Sequence, residues 1–179
     1  RQFVLGEDID AALDRAAGME SKGFTYSYDM LGEAALTEAD ARRYHLSYSR
    51  AISAIARVCI REDIRENPGI SVKLSALHPR YERAQEDSVL RDLVPRLRSL
   101  ALLAKSAGMG LNVDAEEADR LSLSLEVIEA VLGDDALAGW DGFGVVVQAY
   151  GPRAGTVIDT LYHMAERHDR RIMVRLVKG

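Results

Sequence analysis

A chain of 179 residues that is 47% hydrophobic and 28% charged, with a formal charge of −5, has the composition of a globular protein with one buried core and not that of a disordered tail. Its basic residues are spread along the sequence, which argues against a nucleic-acid partner, and its one cysteine, Cys59, excludes an internal disulfide framework and a cysteine-clustered zinc site and fits a reducing compartment. No apolar run approaches the roughly 18 residues of a membrane span, and RQFVLGEDID lacks the charged start and apolar centre of a signal peptide, so the expected location is the cytoplasm.

Amphipathic spacing over residues 8–21 predicts a helix closed by Lys22 and Gly23, after which FTYSYDM (24–30) alternates large and small side chains as a strand does. Thr37 opens TEAD, a capping-box start with a short acid, and Tyr44, Tyr48, Ala51, Ile55, Val58 and Cys59 continue on one helical face. Asn67, Pro68 and Gly69 then lead into the strand GISVKLS. Residues 86–107 carry a leucine stripe, with Pro95 expected to kink the helix or start a new one. Gly108 and Gly110 bracket the turn into LNVD; a helix near 119–132, a loop holding Trp140, the strand FGVVVQAY, a helix near 153–167 and the strand RIMVRLVKG follow. Strand and helix alternate through five strands without a visible linker, the rhythm of a parallel βα repeat.

Splitting each strand by its two-residue period separates an apolar face from a polar one. The polar face holds Asp29; Ser71 and Lys73; Asn112 and Asp114; Val146 and Gln148; Arg175 and Val177. A doubly wound sheet wants both faces apolar, so this asymmetry predicts a (βα)8 TIM-type barrel with the polar face inside. Asp29, Lys73, Asp114, Gln148 and Arg175 sit toward the C-terminal ends of their strands, where barrel active sites form. The structural alternative is an ion pair at the barrel mouth, Lys73 with Asp114 or Arg175 with Asp29.

Two interior cations, an amide and two carboxylates suit an anionic substrate or a cofactor that gains negative charge. Without GxGxxG or a P-loop, a dinucleotide has to bind by another mode. The four histidines form no ligand cluster, so no metal site is expected, and His78 reads as a packed loop residue. A Schiff-base aldolase or lyase centred on Lys73 is an alternative that needs neither Arg175 nor Gln148, as is a non-catalytic barrel fragment. Glu116 and Glu117 are adjacent acids, an acid/base or metal pair or else a solvated helix start.

YSYDMLGEAALTEADA, GISVKLSALHPRYERAQ, LNVDAEEADRL, GFGVVVQAYGPR and RIMVRLVKG together resemble the proline dehydrogenase domain of the bacterial bifunctional proline utilization A flavoenzymes, from about Phe3 onward. The resemblance implies a barrel domain over 1–179, partial in that the family pattern continues through about three more βα units and an arginine-bearing last helix. Residues 1–179 alone are therefore expected to aggregate or to hold FAD poorly. It implies FAD as cofactor, L-proline as substrate, a membrane quinone as electron acceptor, peripheral association with the inner face of the cytoplasmic membrane as an option for the full protein, and room for a homo-oligomer. It assigns Lys73 to the proline carboxylate, Asp29 to the substrate pocket, Glu33 to a gating ion pair and Arg175 to the flavin near N5. Gln148 falls to the flavin's pyrimidine edge, and Asp114, Ala115, Val146, Val177, Lys178 and Gly179 to the rest of this half of the FAD site.

Overall fold

The structure, a computed structural model, describes residues 4–179; Phe3, where the family resemblance begins, lies outside the described residues. Helix α1 (Ile9–Glu20) starts at Asp8, whose carboxylate accepts the Ala11 N–H at 2.8 Å and so satisfies one of the donors a helix start leaves free. Strand β1 (Ser27–Tyr28) is shorter than FTYSYDM predicts. Phe24 is 56% exposed, so little burial stabilises an extended ladder there. Helix α2 (Glu38–Ala56) has the expected capping box, with Thr37 Oγ1 accepting from Asp40 N and Asp40 returning to Thr37 N.

Strand β2 (Gly69–Val72) stops before Lys73, and residues 74–76 turn into a short 3-10 segment, so the predicted strand GISVKLS loses its last three positions. Helix α3 (Glu86–Ser106) runs through Pro95 as one helix, so no new helix starts there. Leu93, Leu97, Leu100 and Ala104 are fully buried along it, and that continuous burial outweighs the one backbone bond a proline removes. Strand β3 (Leu111–Val113), helix α4 (Leu121–Leu132), strand β4 (Phe143–Gln148), helix α5 (Ala154–His168) and strand β5 (Met173–Val177) complete the chain.

The five strands form one parallel sheet in the order β1-β2-β3-β4-β5. Tyr28, Ile70, Val72, Leu111, Val113, Phe143, Val145 and Val147 form the sheet's side of the core, packed with the leucines and valines of α3 and α4. The outward face is therefore the apolar one, as predicted. On β5, Val174 and Leu176 share that face but stay 45% and 59% exposed.

Arg175 Nη1 donates to Ser71 Oγ at 3.1 Å, and Ser71 Oγ lies 3.1 Å from Ser27 Oγ. Three strand spacings separate β5 from β2, about 14 Å in a flat sheet, so a side chain of arginine's length joins them only across a concave face. The sheet is curled into the half-barrel that the polar face predicts.

Candidate active site

Asp29, Lys73 and Asp114 are each the first residue past their strand, in β1, β2 and β3 respectively. Parallel pairing in register, Tyr28 beside Ile70 and Val72 beside Val113, carries their side chains to one end of the sheet. Lys73 keeps extended backbone angles (φ −97°, ψ 128°), so its side chain continues the inward face although the ladder has ended. Its ammonium lies 2.6 Å from Asp29 Oδ1, 3.1 Å from Glu33 Oε1 and 3.1 Å from Asp114 Oδ2. All three ammonium donors are engaged.

Glu33 reaches this cluster from the loop between β1 and α2. That loop is fixed to the turn after β2 by Ala35 N–H donating to Ser75 O at 3.0 Å, and the same turn is fixed to the segment after β3 by Ser75 N–H donating to Glu116 Oε1 at 3.0 Å. Three successive strand-end loops are thus joined edge to edge. Glu116, which the sequence leaves open between an acid/base pair and a solvated helix start, ties loops together, while Glu117 is exposed and pairs with Arg120 at 3.1 Å.

Burial pulls the Lys73 ammonium down, but hydrogen bonds to Asp29 and Glu33 and the charge of Asp114 outweigh it, and its pKa stands well above the ordinary lysine value. A Schiff-base nucleophile needs the opposite, a lysine depressed toward neutrality. Burial also raises the Asp114 carboxyl, against the pull of Lys73 and Arg175. Glu33 is the most enclosed acid, with a side chain 1% exposed and an Oε2 that has no hydrogen-bond partner.

The expected cofactor positions start at Asp114 in this cluster and continue onto β4 and β5. Val146 is paired in register with Arg175, and Gln148 with Val177. The Tyr150 N–H donates to Lys178 O at 3.2 Å, so the segments leaving β4 and β5 stay together. A cavity of about 150 Å³ lies largely on the helix-facing side of β4, among Val145, Val147, Leu125, Ile128 and Val157, and reaches Asp114, Ala115, Val146 and Gln148 at the strand ends; Arg175, Val177, Lys178 and Gly179 do not line it. Arg175 is half-buried and bonds Ser71, not Asp29, so the Arg175–Asp29 pair considered above does not form. Lys178 and Gly179 are exposed; a side chain at Gly179 would meet the Tyr150 ring at 2.8 Å.

Two participants escaped the sequence reading. Tyr48 reads as one more apolar position of α2, yet its hydroxyl bonds Glu33 and the Lys73 backbone; no spacing rule marks which core tyrosine has its hydroxyl in a site. Ser71 was legible as an inward residue but not as the partner of Arg175. His78 is buried, its Nδ1 accepting from the Arg80 N–H at 3.1 Å, the packed loop role expected. Among the described residues no group of acidic, histidine or cysteine side chains is arranged to hold a metal ion, and no helix is long and apolar enough to cross a membrane.

Fold and cluster define a βα-barrel protein with a charged site at the C-terminal ends of its strands. The chain belongs to the proline dehydrogenase family, whose profile matches residues 12–179. It is 58% identical over 178 residues to the bifunctional protein PutA of Salmonella typhimurium, covering 99% of this chain and 14% of that protein. With the proline dehydrogenase of Deinococcus radiodurans it shares 27% identity over 178 residues, covering 99% of this chain and 51% of that protein. Among solved structures it matches proline utilization A from Bdellovibrio bacteriovorus inactivated by N-propargylglycine, with a TM-score of 0.90 and 29% identity over 99% of this chain and 20% of the other. The chain thus spans a small part of its bifunctional relatives and about half of the monofunctional one.

Proposed function

We propose that the protein oxidises L-proline to Δ1-pyrroline-5-carboxylate with FAD and passes the electrons to a membrane quinone. The observation that carries this reading is the convergence of Lys73, Asp29, Glu33 and Asp114 beside Arg175 at the strand ends, in a chain of the proline dehydrogenase family. FAD, when bound, supplies the acceptor for the hydride that leaves proline C5.

The donor set fits a flavin. Arg175 spends one guanidinium donor on Ser71 and has four left for an electron-rich ring edge, and Gln148 offers an amide at the neighbouring strand end. The family resemblance assigns Asp114, Ala115, Val146, Val177, Lys178 and Gly179 to the same half of the FAD site.

Lys73 is assigned to the substrate carboxylate, where it fixes orientation more than it alters electronics. Because its donors are occupied, a carboxylate reaches Nζ only when one acid turns away. Asp29, with a side chain 40% exposed, gives way most easily, while the enclosed Glu33 would be the fixed acid of the ion pair that gates the pocket. Quinone reduction would bring the full protein to the inner face of the membrane peripherally.

The test is made on the full-length protein. It should purify yellow and bleach on addition of proline, and Arg175→Met should slow that bleaching by at least the roughly 10²-fold typical of removing one preorganised charge-stabilising donor. A colourless protein, or a yellow one indifferent to proline, would refute the proposal. Trapping of Lys73 by borohydride with a keto substrate would point instead to the aldolase.

A further inference from the structure

We infer that Tyr48 is a positioning residue for the carboxylate-binding end of this site, its hydroxyl tying Glu33 to the Lys73 backbone so that both groups take up one arrangement together. The inference rests on the proline-binding reading of Lys73 and adds a residue that reading does not contain.

Tyr48 comes from α2 and is completely buried. Its hydroxyl donates to Glu33 Oε1 at 3.2 Å and accepts the Lys73 N–H at 3.1 Å. Glu33 Oε1 is in turn 3.1 Å from Lys73 Nζ, which closes a ring of contacts through one phenol, one carboxylate and both ends of one lysine. A hydroxyl has a single proton. Spent on Glu33, it leaves only lone pairs for the Lys73 amide, so the direction of every bond in the ring is fixed. Burial, together with the neighbouring Glu33 charge, raises the phenol's pKa well above the ordinary value despite the opposing Lys73 bond, and keeps it a donor.

Phenylalanine would fill the same space without burying a hydroxyl, a group that is costly to bury unless bonded. The Lys73 amide lies just beyond β2, where its strand ladder has stopped, so the phenol oxygen takes over as its acceptor. Glu33 Oε2 has no partner, which leaves Oε1, shared between Tyr48 and Lys73, as the anchor of that carboxylate. Removing the hydroxyl frees the gate acid and the lysine backbone in one step.

In the full-length protein, Tyr48→Phe should raise the proline KM roughly tenfold or more, the factor expected for one hydrogen bond to a charged group, with a smaller change in kcat. In a Glu33→Ala background the same substitution should raise KM by clearly less than it does in the wild type, because only the bond to the Lys73 N–H is then left to break. Exchange of the Lys73 amide proton, followed without substrate, should quicken in Tyr48→Phe. A KM within about twofold of wild type overturns the inference, as does a loss that multiplies with Glu33→Ala and falls equally on kcat, the mark of a loosened core. Amide exchange keeps the two proposals separable. Faster exchange in a protein that does not oxidise proline sinks the proline reading and leaves the Tyr48 tie standing, whereas unchanged exchange sinks the tie in either case.

Discussion

Replacing Lys73 by methionine keeps the side chain out to Cε and removes the one cation among three carboxylates. Two effects should separate. The first is on folding: Glu33, with a side chain 1% exposed, loses its cation and retains only the Tyr48 hydroxyl, and breaking a buried pair from one side costs about 3–5 kcal/mol. Asp29 is 40% exposed, so its share is at most about 1 kcal/mol. The second is on binding. A desolvated charge pair is worth roughly 2–5 kcal/mol when one partner is truncated, but the substrate must displace an acid already on Nζ. Giving up the exposed Asp29 contact costs at most about 1 kcal/mol, which leaves about 1–4 kcal/mol, or a rise of some 5- to 700-fold in the proline KM. The assay is proline-dependent dye reduction by the full-length protein, run beside urea unfolding. A double variant, Lys73→Met with Glu33→Gln, removes the stranded buried charge and should recover most of the lost stability while KM stays high. A single variant with KM within about threefold of wild type, or a double variant that regains wild-type KM, would refute the carboxylate contact and reduce Lys73 to charge balance.

The pH dependence of stability should carry the signature of Asp114. Its folded pKa is raised, chiefly by burial, so its contribution is fully present below the unfolded value of 3.8 and is lost as pH climbs through the higher folded value. Asp114→Asn removes that loss, so the variant's urea midpoint relative to wild type should improve as pH rises above about 4; a constant difference would contradict the assignment. Gly69→Ala tests the sheet. A Cβ at residue 69 would lie 2.8 Å from the Gly110 carbonyl oxygen, the acceptor of the Ile70 N–H bond at 3.0 Å, and backbone cannot yield as a side chain does. Overpacking of this kind costs about 1–3 kcal/mol and should appear as earlier unfolding; an unchanged midpoint would mean that β2 and β3 part without penalty.

The sequence by itself determined what depends on local periods and caps. Thr37 and Asp40 sit close enough in the chain to form their box without help, and alternation along β2, β3 and β5 put Lys73, Asp114 and Arg175 on the inward face because a pleat has a period of two whatever surrounds it. The polarity of that face against the apolarity of the other was enough to point to a barrel interior. Tertiary structure decided the partners. Arg175 and Ser71 are 104 positions apart, and Lys73 and Asp29 are 44; which group meets which depends on how tightly the sheet curls, a property of the packed helices and not of any one strand. The same holds for the shortness of β1, for the unbroken path of α3 through Pro95, and for Tyr48, which satisfies a core pattern and a polar network at once. A hydrophobic period records that a side chain is buried, but what its polar tip meets there is set by elements brought in from elsewhere in the chain.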